Sequence, residues 1–217
     1  MLNFIKIFLL FFCAYIQLFT LPSISFSSEI DDNISKIQKS YENIKDLKGN
    51  FVQKNIIKSL NRTDTYKGEF FIKLPMKMKW IYRGKASQDI TINRDSVLIF
   101  KRGDAQAYKA KFDKATYGQT PVALLSGFGN IREEFHISWK EKSIFLRPKV
   151  SAGNIASIKI IMSDSDGGFP IRSFIIQDEH NNVVEIDIRD VVTNTEIKDS
   201  FFEFSLPKGV NIYEQNP

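Results

Sequence analysis

The sequence predicts a mainly β protein: about a dozen antiparallel strands, curling toward a barrel or half-barrel, with few helices to cover them. Three observations predict it. Stretches such as Gly68–Tyr82, GEFFIKLPMKMKWIY, alternate apolar and charged residues at period two. Short turn clusters separate such stretches along most of the chain. Helical spacing is confined to two segments, one near each end of the first batch of strands.

The N-terminus stands apart from the fold. Lys6 is followed by IFLLFFCAYIQLFTL, residues 7–21, and then by PSISFSSE with small residues at Ser25 and Ser27. This is the layout of a secretory signal peptide. Cleavage is expected after Ser27, leaving residues 28–217 as one domain. Cys13, the one cysteine, lies inside the apolar run, and bulky Phe12 before it suits lipoprotein processing badly. The mature chain then has no disulfide, no thiol nucleophile and no thiolate metal ligand. Loss of Lys6 lowers the net charge from +5 to +4. The cations are spread along the strands and form no clustered stripe, which argues against nucleic acid as a partner.

Residues 29–47, EIDDNISKIQKSYENIKDL, predict an amphipathic helix, with Ile30, Ile34, Ile37, Tyr41, Ile44 and Leu47 at three- and four-residue spacing. Glu29, Asp31 and Asp32 suit its first turn, and Gly49 ends it. Strands are expected near 50–59, 64–74, 76–84, 88–93, 96–102 and 105–112. Their turns are SLNR, the Leu74-Pro75 kink, RGKA, NRDS and RGDA. Thr120-Pro121 then caps a short oily helix carrying Val122, Leu124 and Leu125. A second batch of strands is expected near 134–140, 143–149, 155–163, 169–178, 182–191 and 202–206. Asp166-Gly167-Gly168 and His180-Asn181-Asn182 are hairpin signals within it.

Chemistry has little to work with. His136 and His180 are the two histidines, and neither has a second histidine at metal-binding spacing. Asp164–Gly168 lacks the further ligands and closing Glu of a calcium loop and reads as a turn. No nucleophile–base pair and no glycine-rich phosphate loop is present, so neither an enzyme nor a cofactor is expected. Aromatics are the unusual resource: 19 Phe, 7 Tyr and 2 Trp. In the opening stretch, Phe70, Ile72 and Leu74 share one side, as do Met76, Met78, Trp80 and Tyr82. Lys77 and Lys79 are expected to face water. A sheet this long buries such a face by closing tightly or by enclosing a cavity.

An ordered set of residues resembles a known family. Phe51-Val-Gln53 follows the first helix, and Gly68-Glu-Phe-Phe-Ile-Lys-x-Pro75 leads to Trp80. Asp95 precedes Val97-Leu98-Ile99-Phe100, and Thr120-Pro121 precedes Leu124-Leu125. The Asp166-Gly167 hairpin follows, and Phe202-Glu-Phe-Ser-Leu-Pro207-x-Gly209-Val210 closes the chain. Together with the export signal, the set is similar to the outer-membrane lipoprotein carrier family, LolA, over about residues 29–213. The resemblance implies an incomplete antiparallel β-barrel with an α-helical lid over an apolar cavity. It implies a periplasmic monomer without cofactor. Such a protein takes acylated lipoproteins from an inner-membrane ABC transporter and hands them to an outer-membrane receptor. Phe51, Phe70, Ile72, Leu74, Met76, Met78 and Trp80 would line the cavity, and Leu124 and Leu125 would belong to the lid. One departure stands out: family members commonly carry Arg immediately before this Pro, where the present chain has Leu74. That leaves room for a LolA-fold carrier or sensor of another lipid.

Overall fold

The period-two stretches assemble into one sheet. The computed structural model describes residues 26–112, 131–150, 154–164 and 169–215. Helix α1 (Phe26–Glu42) leads into six strands: β1 (Asp46–Ile57), β2 (Arg62–Lys73), β3 (Lys77–Arg83), β4 (Gln88–Asn93), β5 (Ser96–Lys101) and β6 (Gln106–Lys111). A one-turn helix α2 (Ile131–Glu134) opens the second batch: β7 (Phe135–Lys140), β8 (Ser143–Pro148), β9 (Ile155–Met162), β10 (Ile171–Asp178) and β11 (Val183–Thr193). A 3-10 turn at Asp199–Phe202 and strand β12 (Asn211–Gln215) complete the described chain.

The strand order is β12-β6-β5-β4-β3-β2-β1-β11-β10-β9-β8-β7. Two meanders thus lie side by side, joined where β1 pairs with β11. Strands β12 and β7 are the edges, and among the described residues they do not pair with each other. The result is an open sheet, the incomplete barrel expected. Every pairing is antiparallel except β12 with β6, which is parallel.

Alternation gives the sheet two faces. On the inner face lie Leu47, Phe51, Phe70, Ile72, Met78 and Trp80 from the first meander. Ile144, Leu146, Ile158, Ile160, Phe174, Ile176, Ile186 and Ile188 continue it across the second. Helix α1 adds Ile34, Ile37 and Tyr41 to this core. The outer face carries a smaller cluster, Leu98, Phe100 and Ala107, covered by Phe204, Leu206 and Val210.

Four expectations need correction. The helix ends at Glu42 rather than Leu47, because Asp46 and Leu47 already pair with β2. The chain from 202 to 206 is not a strand. Its alternation is real, but it lays apolar side chains onto the outer face and pairs with no neighbour. Strand β12 is absent from the sequence-based prediction, being short and polar. Lys77 and Lys79 do not stand free in water: Lys77 pairs with Asp199 at 2.6 Å and Lys79 lies 5.0 Å over the Phe201 ring. Residues 1–25 of the expected 1–27 leader, the Thr120–Gly127 helix and the Asp166–Gly168 turn lie outside the described residues, while α1 begins at Phe26.

Candidate functional site: the concave face and its polar end

The inner face is organised around one indole. Trp80 on β3 stands opposite Phe70 on β2, and Phe51 reaches it from β1. Phe51 stacks on it with ring centres 4.2 Å apart, and Phe70 lies 5.5 Å away on a near-parallel plane. Two glycines make this packing possible. The sequence writes Gly-x-Phe twice, as Gly49-Asn50-Phe51 and Gly68-Glu69-Phe70. Antiparallel pairing sets Gly49 opposite Phe70 and Phe51 opposite Gly68. Each ring therefore folds over the other strand's glycine. A Cβ on Gly68 would fall 2.6 Å from the Phe51 ring, and one on Gly49 would fall 2.9 Å from that of Phe70. Flat rings on bare backbone bury large apolar area while leaving the face smooth.

The site residues read from the sequence fall as follows. Phe51, Phe70, Ile72, Met78 and Trp80 are all buried on the inner face. Leu74 is partly buried and packs against the same cluster. Met76 sits half-buried in the turn between β2 and β3, where its carbonyl accepts the Arg94 N–H at 2.8 Å. Leu124 and Leu125 lie outside the described residues. The structure adds the second meander, whose isoleucine-rich inner positions continue the apolar face.

Toward one end the face changes character. Past Phe51, strand β1 offers Gln53 and Asn55 at the same inner-facing parity. Beside them stand Tyr66 on β2, Tyr82 on β3, Gln88 on β4 and Lys101 on β5. These six residues line a cavity of about 300 Å³. Within it, the Tyr82 hydroxyl donates to Gln53 Oε1 at 3.0 Å, and Gln53 Nε2 donates to Asn55 Oδ1 at 2.8 Å. Burial pushes the Tyr82 phenol up to about 12. The indole N–H of Trp80 is near enough to act on Tyr82 electrostatically, yet no acceptor meets it with hydrogen-bond geometry. The sequence held a signal for this end, since the polar residues keep the register of the apolar ones. Tyr82 and Gln53 are among the residues quoted from the sequence above, whereas Asn55, Tyr66, Gln88 and Lys101 are not.

His136 and His180 are exposed, on β7 and in the β10–β11 turn. Among the described residues no group of three or more His, Cys, Asp or Glu is placed to hold a metal ion. No helix among them is long and apolar enough to cross a membrane.

An unclosed sheet with a continuous apolar inner face, packed against an amphipathic helix, defines a class: open antiparallel half-barrels. The particular family follows from comparison. Residues 42–205 match the family model described as outer membrane lipoprotein carrier protein LolA, and the chain belongs to that family. A protein of Francisella tularensis subsp. novicida, named outer-membrane lipoprotein carrier protein, is 26% identical over 195 residues, covering 89% of this chain and 91% of its own. One of the same name from Halorhodospira halophila is 23% identical over 185 residues, covering 85% and 86%. Among solved structures, a LolA superfamily protein from Nitrosomonas europaea superposes with a TM-score of 0.53 at 10% identity, covering 81% of this chain and 97% of that one. A conserved protein from Thermus thermophilus gives 0.55 at 8% identity, covering 86% and 99%. At such identities the solved structures speak for the fold alone. The family assigns a lipoprotein-carrier role and the carrier class rather than an enzyme class.

Proposed function

We propose that this chain is a monomeric periplasmic chaperone. It takes acylated lipoproteins from an inner-membrane ABC transporter, shields their acyl chains against the concave face, and delivers them to an outer-membrane receptor. One observation carries the reading: the apolar inner face runs unbroken across both meanders of a sheet that does not close. Each buried methylene contributes about 0.8 kcal/mol, so a multiply acylated protein faces tens of kcal/mol on entering water and cannot cross it unaided. A carrier must match that burial and still let go. Phe51, Phe70, Ile72, Leu74, Met78 and Trp80 would form the floor on which chains lie, with Met76 at its rim. Leu124 and Leu125 would belong to the lid. Adaptable thioethers suit chains of varied shape.

The test is native mass spectrometry of the protein purified from the periplasm, with identification of its cargo. Acylated N-terminal cysteine peptides are expected. Phospholipid or fatty acid alone would move the reading to a carrier of another lipid. A protein with no cargo that also fails to bind added lipopeptide would end both.

A further inference from the structure

We infer that the polar cavity at the Gln53–Lys101 end of the concave face seats the glyceryl ester junction of an acylated ligand, the point where its apolar chains meet its polar remainder. This rests on the carrier reading above. The argument is one of polarity along a strand. Strand β1 presents Leu47 and Phe51 inward, then Gln53 and Asn55. Strand β3 presents Met78 and Trp80, then Tyr82. Strand β4 changes in the opposite chain direction, from Ile92 and Ile90 to Gln88, and β5 from Val97 and Ile99 to Lys101. The boundary therefore crosses neighbouring strands at one level, as a chain-to-junction boundary requires.

The cavity is also supplied with unused polar capacity. Gln53 is 8% exposed, and its amide spends one hydrogen on Asn55 and one lone pair on Tyr82. That leaves one hydrogen and one lone pair in place. The Tyr66 hydroxyl and Gln88 amide make no side-chain hydrogen bond within the described chain. Immediately beneath, the buried Trp80 N–H is a donor without an acceptor. Methylene groups placed here would leave all these groups dry and unpaired, which is unfavourable. Ester carbonyls offer acceptors only, and the unmet groups include donors at Trp80, Gln53, Tyr66 and Gln88. The volume, near the lower end of the roughly 300–1,000 Å³ usual for ligand sites, suits a junction rather than several whole chains. Lys101 stands at the rim, held only loosely by Asp104 at 3.8 Å.

Diacylglyceryl cysteine and phospholipids share this junction. Three probes separate the possibilities: a synthetic tripalmitoylated cysteinyl peptide, dipalmitoyl phosphatidylglycerol, and palmitate, which has chain but no ester. The variants are Tyr82→Phe and, on the neighbouring strand, Gln88→Leu. Each is expected to weaken the lipopeptide by roughly three- to tenfold and to leave palmitate unchanged. Loss confined to the lipopeptide assigns the seat to lipoprotein cysteine. Loss with both glyceryl lipids assigns it to the ester junction they share. Equal loss for all three probes, or no loss for either variant, overturns the proposal while the carrier reading stands. Wild-type protein that binds none of the three overturns the carrier reading itself.

Discussion

At the scale of single residues, the paired Gly-x-Phe motifs make an ordered prediction. A methyl on Gly68 would come within 2.0 Å of the Ile81 carbonyl oxygen, which is backbone and cannot turn aside. On Gly49 the nearest atom, the Arg189 carbonyl, is 2.8 Å away. Gly68→Ala should therefore destabilise by about 1–3 kcal/mol, and Gly49→Ala by less. Urea melts of the two variants would reverse this account if their order were reversed. Asp46 makes a second case. It is 2% exposed, and its carboxylate accepts the Thr195 N–H and hydroxyl and the Ile197 N–H. Asp46→Ala leaves those donors unmet and should lower stability by about 1–3 kcal/mol in the same assay. The inner-facing residues were legible because period two has only two answers, and burial of Phe70, Ile72, Met78 and Trp80 follows the one that collects the aromatics. Gln53 and Asn55 obey the same parity, but a polar residue in an apolar register reads as an interruption until neighbouring strands are seen to change together.

At the scale of elements, the segment after β11 behaves as a strap across the outer face. It is anchored near its start where Thr195 bonds to Asp46 of β1, crosses β2 and β3 through Asp199, Phe201 and Phe202, and ends as β12 beside β6. Phe202 is fully buried, and Phe202→Ala should cost roughly 3–5 kcal/mol. Lys73 and Lys77 both bond the Asp199 carboxyl at 2.6 Å and hold it at about 2, against the ordinary 3.8. A carboxyl depressed on folding stabilises fully above its ordinary value and loses that effect as pH falls from 3.8 toward 2. The urea midpoints of wild type and Asp199→Asn should accordingly differ at pH 5 and converge near pH 2; a constant difference would remove the ion pairs from the account. The strap was misread because Phe202, Phe204 and Leu206 alternate as a strand does. Alternation reports that a chain is extended over an apolar surface. It does not report whether the chain's amides find a neighbouring strand, and here they do not. Strand β12 was missed for the converse reason: its pairing comes from a distant partner, β6, rather than from its own composition.

At the scale of the whole molecule, a face this apolar in an unclosed sheet should be stabilised by what it carries. Palmitate at a hundred times its dissociation constant should add about 2.7 kcal/mol and raise Tm by about 5–10 °C. Calorimetry showing no shift up to the solubility limit of palmitate would mean that the face is closed core. The fold class was legible because turn signals and alternation are local. The order of the strands was not, since β1 and β11 meet across nearly the whole described chain.

That meeting has a consequence for how the chain reaches its native state. Within each meander, every strand pairs with one formed just before or after it, so hairpins can zip up quickly. The β1–β11 seam, which sets Leu47 beside Thr193, must wait for a long loop to close. Until it does, two greasy half-sheets stand open to water and to each other's copies, the condition under which chains aggregate. Ile188→Val, at the seam, should therefore leave the refolding rate nearly unchanged and speed unfolding, as expected of contacts that form after the barrier. Slower refolding in stopped-flow measurements would place the seam in the nucleus instead, and make the joint between the two leaves the first thing the chain secures.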